Sequence, residues 1–180
     1  MKKSIACVLV CLPMMACVSG SITEPSICAP ISLGTFPGSP IAISNPPPIS
    51  YSVNEDFSST ISKINQVADG LTVSVSSLDL TSPSSLAWVS DLQIYVQPSD
   101  LSMPKKLLAT YQSAGDGGTM SSNGGDLSVQ VEMDSATLLT YLSVPVVLTF
   151  NVMATEAPTT TTTLNADFCV AASASITKKL

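Results

Sequence analysis

The sequence predicts an all-β protein: a single antiparallel β-sandwich of immunoglobulin-like type, with seven or eight strands and one or two short helices. Three observations predict this class. Apolar and polar residues alternate with a period near two in many short runs, of which residues 127–133 are the clearest. Segments rich in Pro, Gly and Ser separate these runs, and helical periodicity is confined to two short stretches.

The strands follow from this alternation, because a strand with one face on a core buries every second side chain. In the run that begins at Leu71, the alternation stops after Val75 and resumes at Leu78 in a shifted phase. The predicted strands are residues 27–33, 71–80, 91–96, 106–111, 127–133, 146–154 and 166–176.

The first helix is predicted over residues 58–68, because apolar residues recur there at helical spacing. Asp69 and Gly70 follow as a stop signal. The residues that carry the spacing are Phe57, Ile61, Ile64 and Val67.

A second short helix is predicted over residues 135–142, with Asp134 or Ser135 as its N-cap. Residues 85–88 predict a tight turn that packs Trp88 in or beside the core.

The remaining segments are connections within one domain. Residues 46–48 are three consecutive prolines, which hold the chain extended at an edge or crossover. Residues 114–125 form a Gly-, Ser- and Asp-rich loop, and residues 159–163 a polar run of threonines. None is long enough to separate domains, so one domain is expected over residues 27–180.

The charge balance excludes one class of partner. The chain has seven Lys, no Arg, no His and thirteen acidic residues, for a net charge of −6. Phosphate backbones are neutralised by clustered Lys and Arg, so nucleic acid is not an expected partner. The acidic excess favours simple solubility.

The N-terminus has the pattern of a secretory leader, with two lysines before an apolar stretch over residues 5–13. The next four residues resemble the cleavage box of bacterial lipoproteins, in which Leu, a small or apolar residue, and Ala or Gly precede Cys. Those positions are held here by Met14, Met15, Ala16 and Cys17, with Met in place of the usual Leu. The resemblance implies that residues 1–16 are removed as a signal peptide and that Cys17 carries diacylglycerol and fatty chains.

The resemblance also implies a location. Lipoproteins kept at the inner membrane carry Asp after the Cys, whereas this chain has Val18, so an outer-membrane anchor is expected. Residues 17–26 then form a lipidated tether to the folded domain. The alternatives are an ordinary signal peptide cut near Ala16 or after Gly20, and a retained membrane anchor. The apolar stretch is too short to span a bilayer core of about 30 Å.

Once the leader and the acylated Cys17 are subtracted from the five cysteines, Cys28 and Cys169 remain as a pair in an oxidising compartment. A disulfide between them is expected. The alternative is two separate buried thiols.

The folded part loosely resembles uncharacterised exported β-sandwich lipoproteins. The likeness rests on the order of three stretches: the strand over residues 71–80, the segment 86–96 that contains Trp88, and residues 138–142 before two long strands. It implies no functional residues.

The residue types needed for catalysis are scarce. Without His, the commonest general base and the usual zinc ligand are missing, and without Arg, bidentate clamping of anions is missing. We therefore expect no catalytic residues, no cofactor and no enzymatic activity. The carboxylate pairs are Glu55 with Asp56, which alternate across a strand, and Glu132 with Asp134, which are expected to share a strand face.

One loop offers a weak calcium candidate. Asp116, Asn123 and Asp126 bring three oxygen-bearing side chains together with permissive glycines. Glycine and Asp are also what a solvent-exposed loop between strands requires, and that alternative is preferred.

The sequence thus predicts a membrane-anchored lipoprotein of the cell envelope whose β-sandwich is a non-catalytic interaction or structural module. Its partners are expected to be the membrane, through the lipid, and an envelope protein or a glycan. The alternatives are a carboxylate-dependent envelope hydrolase and a secreted adhesin or pilus-like subunit, which requires an open sheet edge.

Overall fold

The computed structural model describes residues 18–23, 26–65, 70–113, 118–120 and 125–178. Within these residues there are ten strands and two helices. The strands are β1 (Val18–Thr23), β2 (Ile27–Phe36), β3 (Ile49–Glu55), β4 (Gly70–Thr81), β5 (Val89–Pro98), β6 (Lys106–Gln112), β7 (Gly118–Met120), β8 (Asp126–Val131), β9 (Val146–Ala154) and β10 (Thr162–Lys178), and the helices are α1 (Ser58–Asn65) and α2 (Ser135–Leu142).

The pairings between these strands are antiparallel, and the strands follow the order β1-β10-β4-β8-β6-β5-β9-β3, with β2 also on β10 and β7 also on β8. Strand β8 belongs to both halves, because Ser128 pairs with β4 and Gln130 pairs with β6. The other side nearly closes where the Tyr51 hydroxyl donates to the Thr35 carbonyl at 2.9 Å. The predicted all-β antiparallel sandwich with short helices is confirmed.

The core fills the space between the two halves. Strand β10 contributes every second side chain, from Leu164 through Phe168 to Ala172, and these are almost fully buried. Strand β9 faces them with Leu148 and Phe150, both at 0% exposure. Trp88 lies at the edge of this core, as predicted.

The shifted phase in the sequence of β4 has a structural cause. Cys169 of β10 lies opposite Ser77, whereas the next residue, Val170, lies opposite Val75, so Ser76 is an extra residue. A bulge of this kind moves the side chains that follow it to the other parity. Leu78 is therefore buried on the same side as Val73.

A second bulge lies in β2, where Leu164 pairs with Gly34 and Asn165 with Ser32. Gly34 has φ +109°, a left-handed conformation that favours glycine. The skipped residue is Leu33, which packs against the core.

Helix α2 begins as predicted, with Asp134 as its N-cap. The Asp134 carboxylate accepts from the backbone N–H of Ala136 and Thr137 at 3.0 and 2.9 Å. Helix α1 begins at Ser58, and its predicted end at residues 66–68 lies outside the described residues. No helix in the described part of the chain has the length and apolar character needed to cross a membrane.

The predicted disulfide between Cys28 and Cys169 is present, and the two residues lie directly opposite each other on β2 and β10. Because Phe168 and Val170 point into the core, Cys169 stands on the outer face of the sheet. The bridge joins residues 141 positions apart in the sequence.

Three strands go beyond the seven predicted. Residues 18–23, expected within a tether over 17–26, form β1 and pair with the end of β10. Residues 118–120, expected as part of a loop, form β7 against β8. Strand β3 follows the three prolines and alternates Ile49, Tyr51 and Val53 with smaller polar residues. Each of these three is completed by a partner that is remote in the sequence or lies across a loop.

Candidate binding groove

A groove of about 420 Å³ opens where the start of β10 meets the turn before β5. One wall is the turn that contains Ser84, Ser85, Ala87 and Trp88. The other wall is formed by residues 155–160 together with Thr162. Its volume lies within the range of roughly 300–1,000 Å³ that small-molecule sites occupy.

The turn wall is rigid because its polar groups are already used. The Trp88 indole N–H donates to the Ser85 carbonyl at 2.9 Å, and the Ala87 N–H donates to Ser85 Oγ at 3.2 Å. Leu86 is fully buried beneath this turn. The Trp88 ring packs on Phe36 at 4.5 Å between centroids with a tilt of 43°, which leaves only 9% of Trp88 exposed, facing the groove.

The opposite wall is held by the chain that precedes β3. The Ser39 N–H donates to the Pro158 carbonyl at 2.8 Å, the Asn45 N–H donates to the Thr155 carbonyl at 2.8 Å, and the Ala157 N–H donates to the Ile43 carbonyl at 3.0 Å. These three backbone bonds hold residues 39–45 beside residues 155–158. The carbonyls of Thr155 and Pro158 and the N–H of Ala157 are therefore satisfied within the protein.

Gly38 allows the two segments to approach closely. A Cβ at this position would lie 2.1 Å from the carbonyl carbon of Thr160, which no side chain can occupy without moving the backbone. Thr160 can occupy its position in the groove because residue 38 is a glycine and has no Cβ.

Three side chains of this wall have no hydrogen-bond partner among the residues that the structure describes: Glu156, Thr159 and Thr160. All three are exposed. Within the described part of the chain, Glu156 is the only charged residue that lines the groove. The groove therefore offers one carboxylate and two hydroxyls to a ligand.

The sequence did not single out this groove. From the sequence, residues 159–163 are expected to form a polar connection and Trp88 to lie in or beside the core. Their association requires the turn at 84–88 to lie beside the segment before β10, which the backbone bond from the Thr155 N–H to the Trp88 carbonyl, at 3.0 Å, secures. A single Trp and a run of hydroxyls were the only signals in the sequence.

The carboxylate pair Glu132 and Asp134 is not arranged as the sequence predicted. Strand β8 ends at Val131, so Glu132 and Asp134 lie beyond it and do not share a strand face as expected. Glu132 Oε1 accepts from the Thr110 hydroxyl at 3.1 Å, whereas Asp134 caps α2. Hydrogen bonds from Thr137 and Ala136 lower the pKa of Asp134.

Glu55 and Asp56, the other carboxylate pair, also differ in their structural roles. Glu55 ends β3, and the Asp56 carboxylate accepts from the Ser58 N–H at 2.9 Å at the start of α1. The Ser58 hydroxyl bonds to the same oxygen, and these bonds lower the pKa of Asp56.

Asp91 is a carboxylate that the sequence did not single out. Its Oδ1 atom is buried and has no hydrogen-bond partner among the described residues. Burial raises the pKa of Asp91, and a hydrogen bond with Gln112 opposes that rise. Asp91 stands on the outer face of β5, since Leu92 points into the core, and it does not line the groove.

A Ser-x-x-Lys spacing, a catalytic motif on helices of some acyl-transfer enzymes, occurs at Ser102 and Lys105. Here it lies in a loop, where the Ser102 N–H donates to Asp100 at 3.0 Å. The Lys105 ammonium lies over the Tyr95 ring at 5.1 Å from its centroid. Ser102 and Lys105 thus contact different neighbours, Asp100 and the Tyr95 ring respectively.

The remaining predicted site residues are only partly covered. Cys17, Asp116 and Asn123 lie outside the described residues. Asp126 is exposed at the start of β8. Within the described residues, no group of three His, Cys, Asp or Glu side chains is arranged to hold a metal ion.

No protein-family model matches the sequence. No curated protein matches it either. Among solved structures, one described as Desmodium yellow mottle tymovirus is 11% identical, with coverage of 100% of this chain and 93% of that chain and a TM-score of 0.31. A structure of infectious bursal disease virus, Gx strain, is 11% identical, with coverage of 90% of this chain and 32% of that chain and a TM-score of 0.26. We base no argument on either likeness.

Proposed function

We propose that this protein is an exported lipoprotein of the bacterial cell envelope, anchored to the outer membrane through Cys17, whose β-sandwich is a non-catalytic binding module. The leader pattern and the residues Met14 to Cys17 support the anchor. The Cys28–Cys169 disulfide supports an oxidising compartment.

The observation that carries the proposal is the position of the groove along β10. This strand has 17 residues, and its first residue, Thr162, lines the groove. Its last residue, Lys178, pairs with Val18, the residue directly after Cys17. At about 3.3 Å per residue, the two ends of β10 are separated by at most about 53 Å. A lipid on Cys17 would hold one end of the sandwich at the bilayer and present the groove at the other.

The anchor is tested by mass spectrometry of the full-length protein extracted from bacterial membranes. We expect a diacylglycerol-modified N-terminus at Cys17, and we expect Cys17→Ser to move the protein from the membrane to the soluble fraction. Cys11→Ser, within the leader, is the matched control and should leave the anchor unchanged. An unmodified N-terminus at another residue would refute the anchor. The outer-membrane assignment is tested separately, by density-gradient separation of the inner and outer membranes.

A pilus-like subunit is a second candidate, and the edge strand β3 favours it. Among the described residues, β3 has a strand partner on one side only, β9. The other edge of β3 is unpaired within the described part of the chain, although the Tyr51 hydroxyl reaches β2 across it, and an unpaired edge can accept a strand from another chain. Ordered polymers of the purified protein in electron micrographs, abolished by Ser52→Pro on β3, would support this candidate. A protein that stays monomeric at high concentration would not.

A further inference from the structure

We infer that the groove binds a saccharide that is neutral or carries an amino group, recognised through Glu156, Thr159 and Thr160. This inference rests on the proposed function, since it names the ligand class of the binding module. It is carried by the charge of the groove, by its unpaired polar groups and by the engaged backbone of its walls.

The charge of the lining excludes anionic ligands. Among the residues that the structure describes, Glu156 is the only charged one in the lining, and no Lys is present there. A phosphate or carboxylate ligand needs cationic or N–H donors, and it would here meet the like charge of Glu156. A ligand rich in hydroxyl or ammonium donors, by contrast, gains charge-assisted hydrogen bonds from the Glu156 carboxylate.

The lining also distinguishes a saccharide from a lipid. Beside the small exposed edge of Trp88, the groove carries the hydroxyls of Thr159 and Thr160 on one wall, and on the other those of Ser84 and Ser85, which already bond within their turn. Hydroxyls both donate and accept, as sugar hydroxyls do, so the two sets can pair with each other. An acyl chain would cover the hydroxyls of Thr159 and Thr160 without offering them a partner, at a cost of roughly 1–3 kcal/mol for each group so buried.

An extended peptide is disfavoured by the bonded backbone groups of this wall. An extended peptide binds a sheet edge through free main-chain N–H and C=O groups. In this groove the carbonyls of Thr155 and Pro158 and the N–H of Ala157 are already bonded to residues 39–45. The Glu156 carboxylate and the hydroxyls of Thr159 and Thr160 are the side-chain groups of this wall that remain for recognition.

The test uses the intrinsic fluorescence of the purified protein. Trp88 is the only tryptophan in the chain and lines the groove, so a ligand bound there should change its emission. The probes are cellobiose, maltose, chitobiose and N,N′-diacetylchitobiose, with glucose 6-phosphate as an anionic comparison. We expect a saturable change in Trp88 emission with at least one disaccharide and none with the phosphate.

Two variants locate the binding. Glu156→Gln and Thr160→Val should each raise the Kd about tenfold, because each removes one hydrogen bond to the ligand. Both side chains are exposed and have no hydrogen-bond partner among the described residues, so the urea midpoints should equal that of the parent. Glu55→Gln is the matched control, because Glu55 pairs with Val146 at the far end of β9 from Thr155.

Several outcomes would overturn the inference: no saturable change with any of the four disaccharides, tighter binding of the phosphate, binding of an oligolysine peptide in preference to every sugar, or equal binding by parent and Glu156→Gln. None of these results depends on the anchor, whose test is the mass of the Cys17 N-terminus. Failure of the ligand assignment and failure of the lipoprotein proposal are thus distinguishable.

Discussion

Asp134, Asp56 and Asp91 lie in two kinds of environment: the fold stabilises the charge of the first two and disfavours the charge of the third. Asp134 and Asp56 accept backbone N–H groups at the starts of α2 and α1, where those donors have no helical partner. Asp91 has a buried oxygen without a partner among the described residues. The two environments move the pKa of these carboxyls in opposite directions.

The lowered pKa of Asp134 predicts how the stability of the protein depends on pH. Its folded-state pKa is lowered by the bonds from Thr137 and Ala136, so the folded protein favours the ionised form. The stabilisation is present above the unfolded pKa of about 4 and is lost as the pH falls through the folded-state value. We expect Asp134→Ala to lower the urea midpoint near neutral pH and to lose this difference in strong acid.

Asp134→Ser is the matched control for that measurement. A serine still caps the helix but carries no charge, so it should recover most of the neutral-pH midpoint and remove the pH dependence. Equal midpoints for the parent and Asp134→Ala at every pH would contradict the assigned role.

The raised pKa of Asp91 predicts the opposite dependence of stability on pH. Its folded-state pKa is raised by burial, so between the unfolded and the folded value the folded state binds more protons than the unfolded state does. The stability of the protein therefore falls as the pH rises through that interval. We expect Asp91→Asn to be more stable than the parent near neutral pH and no more stable in strong acid, as measured by thermal unfolding across pH.

A lower stability of Asp91→Asn near neutral pH would contradict this account. It would mean that the hydrogen bond with Gln112 matters more than the burial of the charge.

At the scale of elements, the sequence predicted the segments whose alternation is regular. Strand β9 was predicted with both its bounds, and β10 was predicted in part. The helix over 135–142 was also predicted with its bounds and its cap. These elements could be predicted because their burial patterns and caps depend on residues close together in the sequence.

Other elements could not be predicted in this way. Strand β7 has only three residues, which is too short to show a period. Strand β1 contains small and polar residues, and its partner is the far end of the chain. The alternation in β3 was present in the sequence, but the three prolines before it indicated a crossover instead.

Gly34 provides a test at this scale. Its φ of +109° is strained for any residue with a Cβ, whereas the space around it is open, because a Cβ there would lie 4.0 Å from Tyr51 Cε1. Gly34→Ala should therefore lower the free energy of unfolding by about 1–3 kcal/mol through backbone strain alone. Urea unfolding measures this change.

Ser32→Ala, an exposed position on the same strand, is the control for Gly34→Ala and should change stability by less than about 0.5 kcal/mol. If Gly34→Ala were as stable as this control, the bulge would not need glycine.

At the scale of the whole molecule, the two halves of the sandwich are joined by β8 on one side and approach each other through β2 and β3 on the other. The disulfide adds a covalent link between β2 and the C-terminal strand. Because it closes a loop of about 140 residues, it restricts the unfolded chain far more than it affects the folded one.

We expect the double variant Cys28→Ser, Cys169→Ser to lower the free energy of unfolding by about 2–5 kcal/mol. The chain-entropy account predicts that reducing the parent protein has the same effect, so the parent unfolded in reductant is the control. A double variant as stable as the oxidised parent would show that the bridge contributes nothing to stability. The fold should remain the same in either case, since the core lies on the opposite face of β10 from the bridge.

The sequence by itself determined the fold class, most of the strands, the bounds of α2 with two candidate caps, the disulfide partners and the expectation of a lipid anchor. These depend on local periodicity, on residue chemistry, or on counting a small set of cysteines. Only the tertiary structure decided that Trp88 and Glu156 share a groove, that Glu132 and Asp134 lie apart from any strand face, and that the groove and Val18 lie at opposite ends of β10. The physical reason is that a groove forms from the packing of segments about 70 residues apart, for which the alternation within each segment carries no information.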